Sequence, residues 1–230
     1  FDLRNWASTA PAPAKKLAGT AMLGQLTLRT YPAGKSNAVR ADASGKLGDQ
    51  YYLLANVDSE NKLRASLGIG ASTNLPQDGF ALHMANNELN LDTWVEFLGT
   101  TKSSHKTAEV KKPDTPESTI QVTAQIKKLI AFGREWNDFN LNSNEKNGVW
   151  QLRLNAPQIA GQIQWHPSSL GQPSGLISGR LLRLKAPDPA TDIDTAAKDT
   201  TPQSNKVAQK SNKTPLNPNA IPSLDLTIDD

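Results

Sequence analysis

The sequence predicts an all-β protein: an elongated, curved antiparallel sheet, open like a trough, with one short helix and long polar loops. Three observations predict this class. Many segments of strand length alternate apolar and polar residues, and a period of two puts each set on one side of a pleated sheet. Helical spacing is found over one short stretch only. Gly133, Gly161 and Gly179 fall inside strand-like segments, where glycine marks bulges or tight curvature, and a sheet that curves without closing makes a trough.

The first block covers residues 1–98. Met22, Gly24, Leu26 and Leu28 share one side of a strand over 22–28. Tyr51, Leu53, Ala55 and Val57 share another over 51–57, and Leu63, Ala65, Leu67 and Ile69 a third over 63–69. The connection at 58–62 (DSENK) is short and polar, so these two read as a hairpin. Strands at 80–84 and 89–91 follow, separated by a turn at Asn86-Asn87. At 92–98 (DTWVEFL) the period breaks. Asp92 reads as an N-cap, and Trp94, Phe97 and Leu98 fall together at helical spacing.

Residues 99–118 form a polar linker and 119–185 a second strand block. In it, Trp150, Leu152 and Leu154 oppose Val149, Gln151 and Arg153, while Ile159, Gly161, Ile163 and Trp165 oppose Ala160, Gln162 and Gln164. Residues 186–222 are of low complexity and too poor in apolar side chains to offset their ordering entropy, so they read as a mobile loop. Residues 223–230 open a further strand unit, with Leu224, Leu226 and Ile228 alternating against Asp225, Thr227 and Asp229. This strand lacks a hairpin partner, which reads as one section of something longer. A loose internal repeat links 80–94 to 119–136, each laid out as strand, polar break, strand and Trp.

Composition removes several function classes. A net charge of +3 over 230 residues, with no basic stripe interleaved with aromatics, gives nucleic-acid binding no support. The absence of cysteine excludes disulfides, thiol catalysis and Cys-ligated zinc. No apolar run approaches the roughly 18–20 residues that cross a bilayer. His83, His105 and His166 are far apart and offer no metal-ligand spacing. Acidic neighbours such as Asp229-Asp230, or Glu135 near Asp138, are expected by chance among 22 acids. With no nucleophile elbow, phosphate loop or dinucleotide fingerprint, no enzymatic activity and no cofactor are expected. Trp94, Trp136, Trp150 and Trp165 read as core residues, sugar-stacking platforms or lipid-facing aromatics.

The order of motifs in the second block resembles the YhdP branch of the AsmA-like proteins of Gram-negative bacteria. Those proteins show a W-x-L-x-L strand, here 150–154, then I-x-G-x-I-x-W, here 159–165. An L-x-x-R-L-x-R-L-type strand (176–184), a variable loop (186–221) and a P-x-L-D-L opening (222–226) follow, and LNLDTW at 89–94 matches an upstream L-D-L-D-x-W with Asn90 at one acidic position. The match is good from about residue 63 onward and looser over 1–50, where a proline-rich stretch is reduced to YPAGK at 31–35.

This resemblance implies a large periplasmic protein anchored in the inner membrane, with a hydrophobic groove for phospholipid movement between inner and outer membrane. It also implies a role in maintaining the outer-membrane permeability barrier. The partners expected are phospholipid acyl chains and the two membranes, with no nucleic acid and no metal. The residues expected to line the groove are Ile120, Val122, Ile126, Trp150, Leu152, Leu154, Ile159, Ile163 and Trp165. Two competing readings are a carbohydrate-binding β-sandwich, which needs exposed Trp flanked by polar groups, and a structural scaffold whose loops recruit partners.

Overall fold

The computed structural model describes residues 1–32, 39–101, 119–167, 175–189 and 223–229. Twelve strands form one sheet. β1 (Gly24–Pro32), β2 (Val39–Leu47), β3 (Tyr51–Val57), β4 (Leu63–Ile69), β5 (Gly79–Asn90) and β6 (Ile120–Ala131) follow one another in space as in sequence. β7 (Arg134–Lys146), β8 (Val149–Asn155), β9 (Ile159–His166), β10 (Leu176–Leu184) and β12 (Ser223–Ile228) complete the order, while the two-residue β11 (Asp188–Pro189) pairs with the start of β7. The two sequence blocks thus join in a single sheet, through the β5–β6 ladder.

The sheet is mixed, not antiparallel throughout as expected. β5 runs parallel to both β4 and β6, and β12 runs parallel to β10; the other ladders are antiparallel. Parallel neighbours need a connection that carries the chain back to the starting end. Residues 70–78 do this between β4 and β5, crossing the side of the sheet that carries Ser66 and Gly68. A Cβ at Gly68 would run into the Ala71 carbonyl, the Ser66 hydroxyl hydrogen-bonds that of Thr73, and Ser66 is 0% exposed. The hairpin expected at 58–62 is present, with the Asp58 carboxylate accepting from the N–H groups of Glu60 and Lys62.

Three local expectations are corrected. Asn86-Asn87 is not a turn: β5 runs through it, because its parallel partner β6 supplies ladder hydrogen bonds on both sides of the pair. Consequently 80–94 is a strand leading into a helix, whereas 119–136 is a hairpin, and the repeat does not exist as structure. The helix α1 (Leu91–Thr101) forms, but its N-cap is Asn90, whose Oδ1 accepts from the Thr93 N–H. Asp92 instead reaches across to the β6–β7 turn, where its two carboxylate oxygens accept from the N–H groups of Phe132 (2.7 Å) and Gly133 (2.8 Å). That turn has positive φ at both residues, so Gly133 marks a tight hairpin and not curvature within a strand.

One irregularity keeps the apolar side continuous. Neither ladder of β6 pairs Lys127, and the residue it would meet on β7, Asp138, has φ of 47°. Across this break the buried positions change parity, from Ala124 and Ile126 to Leu129 and Ala131, yet all four belong to one cluster with Met84, Leu89, Trp136, Phe139 and Leu141. Residues 1–23 lie at the same end of the sheet as α1. The Tyr51 hydroxyl donates to the Pro13 carbonyl, and the Trp94 indole N–H donates to that of Ala12. Burial pushes the Tyr51 phenol up from its ordinary value.

Candidate functional site

Register decides which side chains share a side of the sheet, because residues directly opposite in a ladder point the same way. One such row runs Leu26, Gly45, Leu53, Leu67, Leu82 and Val122 from β1 to β6. It continues through Ser143, Leu152, Ile163, Gly179 and Leu226 to β12. The rows on either side of it also cross every strand: one passes through Phe80, Ile120, Glu145, Trp150, Trp165 and Ile177, the other through Ile69, Met84, Ala124, Leu141 and Leu154. Three apolar rows therefore cross eleven strands on one face.

From β6 to β12 the opposite face is polar. Thr123, Asn142, Arg153, Gln162, Arg180 and Thr227 form one of its rows, and Gln121, Asn144, Gln151, Gln164, Ser178 and Asp225 the next. A recess of about 440 Å³ opens among these side chains. His83 also lies on this side, opposite Gly68 and Thr123. His166 is at the far end of β9, and His105 lies outside the described residues. Among the described residues no group of three potential metal ligands comes together.

Among the described residues the strands belong to one sheet, with no second sheet beside it, and α1 touches β6. A β-sandwich, which needs a second sheet about 10 Å away, is not formed. Trp150 and Trp165 sit on the apolar face while the amides that could bond to sugar hydroxyls sit on the other. The elements of a sugar platform are therefore on opposite sides.

Two glycines shape the apolar face. A Cβ at Gly179 would run into the Gln162 carbonyl oxygen and come within 2.7 Å of Ile163 Cα; one at Gly161 would meet the Arg180 carbonyl and come within 2.7 Å of Leu181 Cα. Both missing side chains belong on the apolar side, so strands β9 and β10 can close toward that side only because glycine occupies these positions. Next to them the ladder slips between Leu181 and Arg183. This close approach of backbone falls at Gly161 and Gly179, two of the three glycines singled out in the sequence.

All nine residues expected to line a groove (Ile120, Val122, Ile126, Trp150, Leu152, Leu154, Ile159, Ile163 and Trp165) lie on this one face. Ile126 is buried in the cluster described above, at 2% exposure, and the other eight are half-buried. The face also extends well beyond them. Leu53, Leu67 and Leu82 continue it into the first block, and Ile177, Leu181 and Leu226 into the last strands. Their alternation was visible in sequence; what was missing was the register that aligns them with the second block. At both edges the exposure rises, to 67% at Leu28 on β1 and 63% at Leu224 on β12.

The YhdP protein family matches the chain over residues 1–230. The chain belongs to the YhdP family. No curated protein and no solved structure matches it. In this YhdP-family chain no described helix is long and apolar enough to cross a membrane, which says nothing about a β-barrel.

Proposed function

We propose that the apolar face binds the acyl chains of phospholipids, and that the chain is a section of a periplasmic groove that shields lipids moving between inner and outer membrane. The observation that carries this reading is the apolar face, three rows deep across eleven strands and interrupted on β7 at Ser143 and Glu145, with no second sheet among the described residues. Membership of the YhdP family supports it.

Solvation drives this binding. Each buried methylene gains about 0.8 kcal/mol on leaving water, so an acyl chain gains by lying against any apolar lane. Seven extended residues span roughly 23 Å at about 3.3 Å each, comparable to an acyl chain lying along a strand. Ladders then repeat the same surface about every 4.8 Å, so a lipid can shift from lane to lane without exposing its tails. No bond is made or broken, and the groove works as a binding surface without an enzymatic step. In the longer protein, anchored in the inner membrane, such a surface supports the outer-membrane permeability barrier.

The deciding experiment is native mass spectrometry with lipid extraction of the chain purified from cells grown with labelled phospholipid. Co-purifying phospholipid that is lost in Trp150→Asp and Ile163→Asp supports the groove. A lipid-free, cooperatively folding monomer overturns it and favours the scaffold reading.

A further inference from the structure

Within the three apolar rows Glu145 is the only charged residue, and Ser143 lies beside it on the same strand. Ser143 is 2% exposed, and its hydroxyl is buried with no hydrogen-bond partner. A buried hydroxyl left unpaired costs about 1–3 kcal/mol, yet this one stands between Val122 and Leu152 at the centre of the apolar surface. Glu145 stands between Ile120 and Trp150. One of its oxygens, Oε1, accepts from the Gly148 N–H in the β7–β8 turn at 2.6 Å, and among the described residues Oε2 accepts no hydrogen bond. Continuing along β7 on the same side come Leu141 and Phe139, both part of the apolar cluster.

Strand β7 therefore presents carboxylate, hydroxyl, aliphatic and aromatic side chains in that order, over roughly 20 Å at about 3.4 Å per residue. The lanes beside it, Ile120, Val122 and Ala124 on β6 and Trp150, Leu152 and Leu154 on β8, are apolar throughout. This gradient matches an amphiphile laid along the strand. A cationic amine would meet Glu145, an ester carbonyl would accept from the Ser143 hydroxyl, and the acyl chain would cover Leu141 and Phe139.

We propose that β7 is a polar station in the groove that orients lipids with their heads at the β7–β8 turn and favours heads bearing a primary amine. The inference rests on the acyl-binding reading above and adds an orientation and a class of head group to it.

The test uses two single-chain lysophospholipids with the same acyl chain, one with an ethanolamine head and one with a glycerol head, titrated below their micelle concentrations. The unsubstituted chain is expected to bind the ethanolamine form about tenfold more tightly, the equivalent of one charge-assisted hydrogen bond. Glu145→Gln keeps an oxygen for the Gly148 N–H, so the turn survives; it is expected to bind both lipids with the preference gone. Ser143→Ala is expected to weaken both lipids alike. Equal affinities in the unsubstituted chain, or a preference that persists in Glu145→Gln, overturn the station while leaving the groove intact. Failure to bind either lipid overturns the groove itself.

Discussion

Trp150 and Trp165 stand directly opposite each other across the β8–β9 ladder, on the apolar side of the sheet. Directly opposed positions in an antiparallel pair hold their Cβ atoms about 4.5–5.5 Å apart, so both indoles rise from the same part of the apolar side. Ile177 extends it on the next strand, and Glu145 bounds it on the other side. Their sharing of a face is what makes them part of a surface and not two isolated core residues.

Aspartate at Trp150 or Ile163 is expected to lower affinity for a single-chain amphiphile by tenfold or more. Burying one large apolar side chain against a ligand contributes about 1.5–3 kcal/mol. Gln151→Asp and Gln164→Asp, on the opposite face, are expected to leave affinity within about twofold. Fluorescence displacement measures both pairs, and far-UV circular dichroism checks that β content is retained. Equal losses from the two faces would contradict the assignment of sides.

Gly179→Ala is expected to destabilise the sheet by about 2–3 kcal/mol, because the new methyl must displace backbone of β9. Gly133→Ala has no atom within 4 Å of its Cβ, but its φ of 66° disfavours a side chain, at a cost of about 1–2 kcal/mol. Urea midpoints compare the two. A larger loss at Gly133 than at Gly179 would refute the tight approach of β9 and β10.

Asp92→Ala removes the acceptor for both N–H groups of the β6–β7 turn. A loss of about 1–2 kcal/mol is expected, similar to the loss of a helix cap. Amide hydrogen exchange is expected to rise first at Phe132 and Gly133. Protection unchanged there would show that the bridge from α1 does not hold the turn.

The Asp58 carboxylate is held below its ordinary value, chiefly by the hydrogen bond from the Lys62 N–H. A lowered folded value means that the carboxylate stabilises the β3–β4 hairpin above its unfolded value, about 3.9, and that this contribution fades as pH falls through the folded value. Thermal melts of the unsubstituted chain and of Asp58→Ala are expected to differ at pH 6 and to converge below about pH 4. A constant gap across that range would assign the effect to something other than ionisation.

Much of the fold was legible in the sequence. The alternation at 51–57, 63–69, 149–154 and 159–165 marked strands and their apolar sides, DSENK marked a hairpin, and DTWVEFL marked α1. β2 was missed: Val39–Leu47 (VRADASGKL) carries small and charged residues with little apolar contrast between its sides. β7 was missed as well, because its polar side is a run of asparagines and its apolar side turns to Ser143 and Glu145 near the hairpin. Asn86-Asn87 misled because a turn-like pair can sit inside a strand when the ladder with a neighbouring strand continues before and after it.

The sequence by itself determined which side of each strand is apolar, since that follows from a period of two within one segment. It also determined the hairpin at 58–62 and the absence of cysteine chemistry. Only the tertiary structure decided how the segments register. It made β5 and β12 parallel to their neighbours, and carried residues 70–78 over the polar side so that the apolar side remained open. It also brought Gly161 and Gly179 against facing backbone. These are relations between residues far apart in the chain, and ladder hydrogen bonds join any strand to any other alike. Side-chain alternation within one strand therefore fixes its two sides, but not its neighbour, its direction or the surface the sides build together.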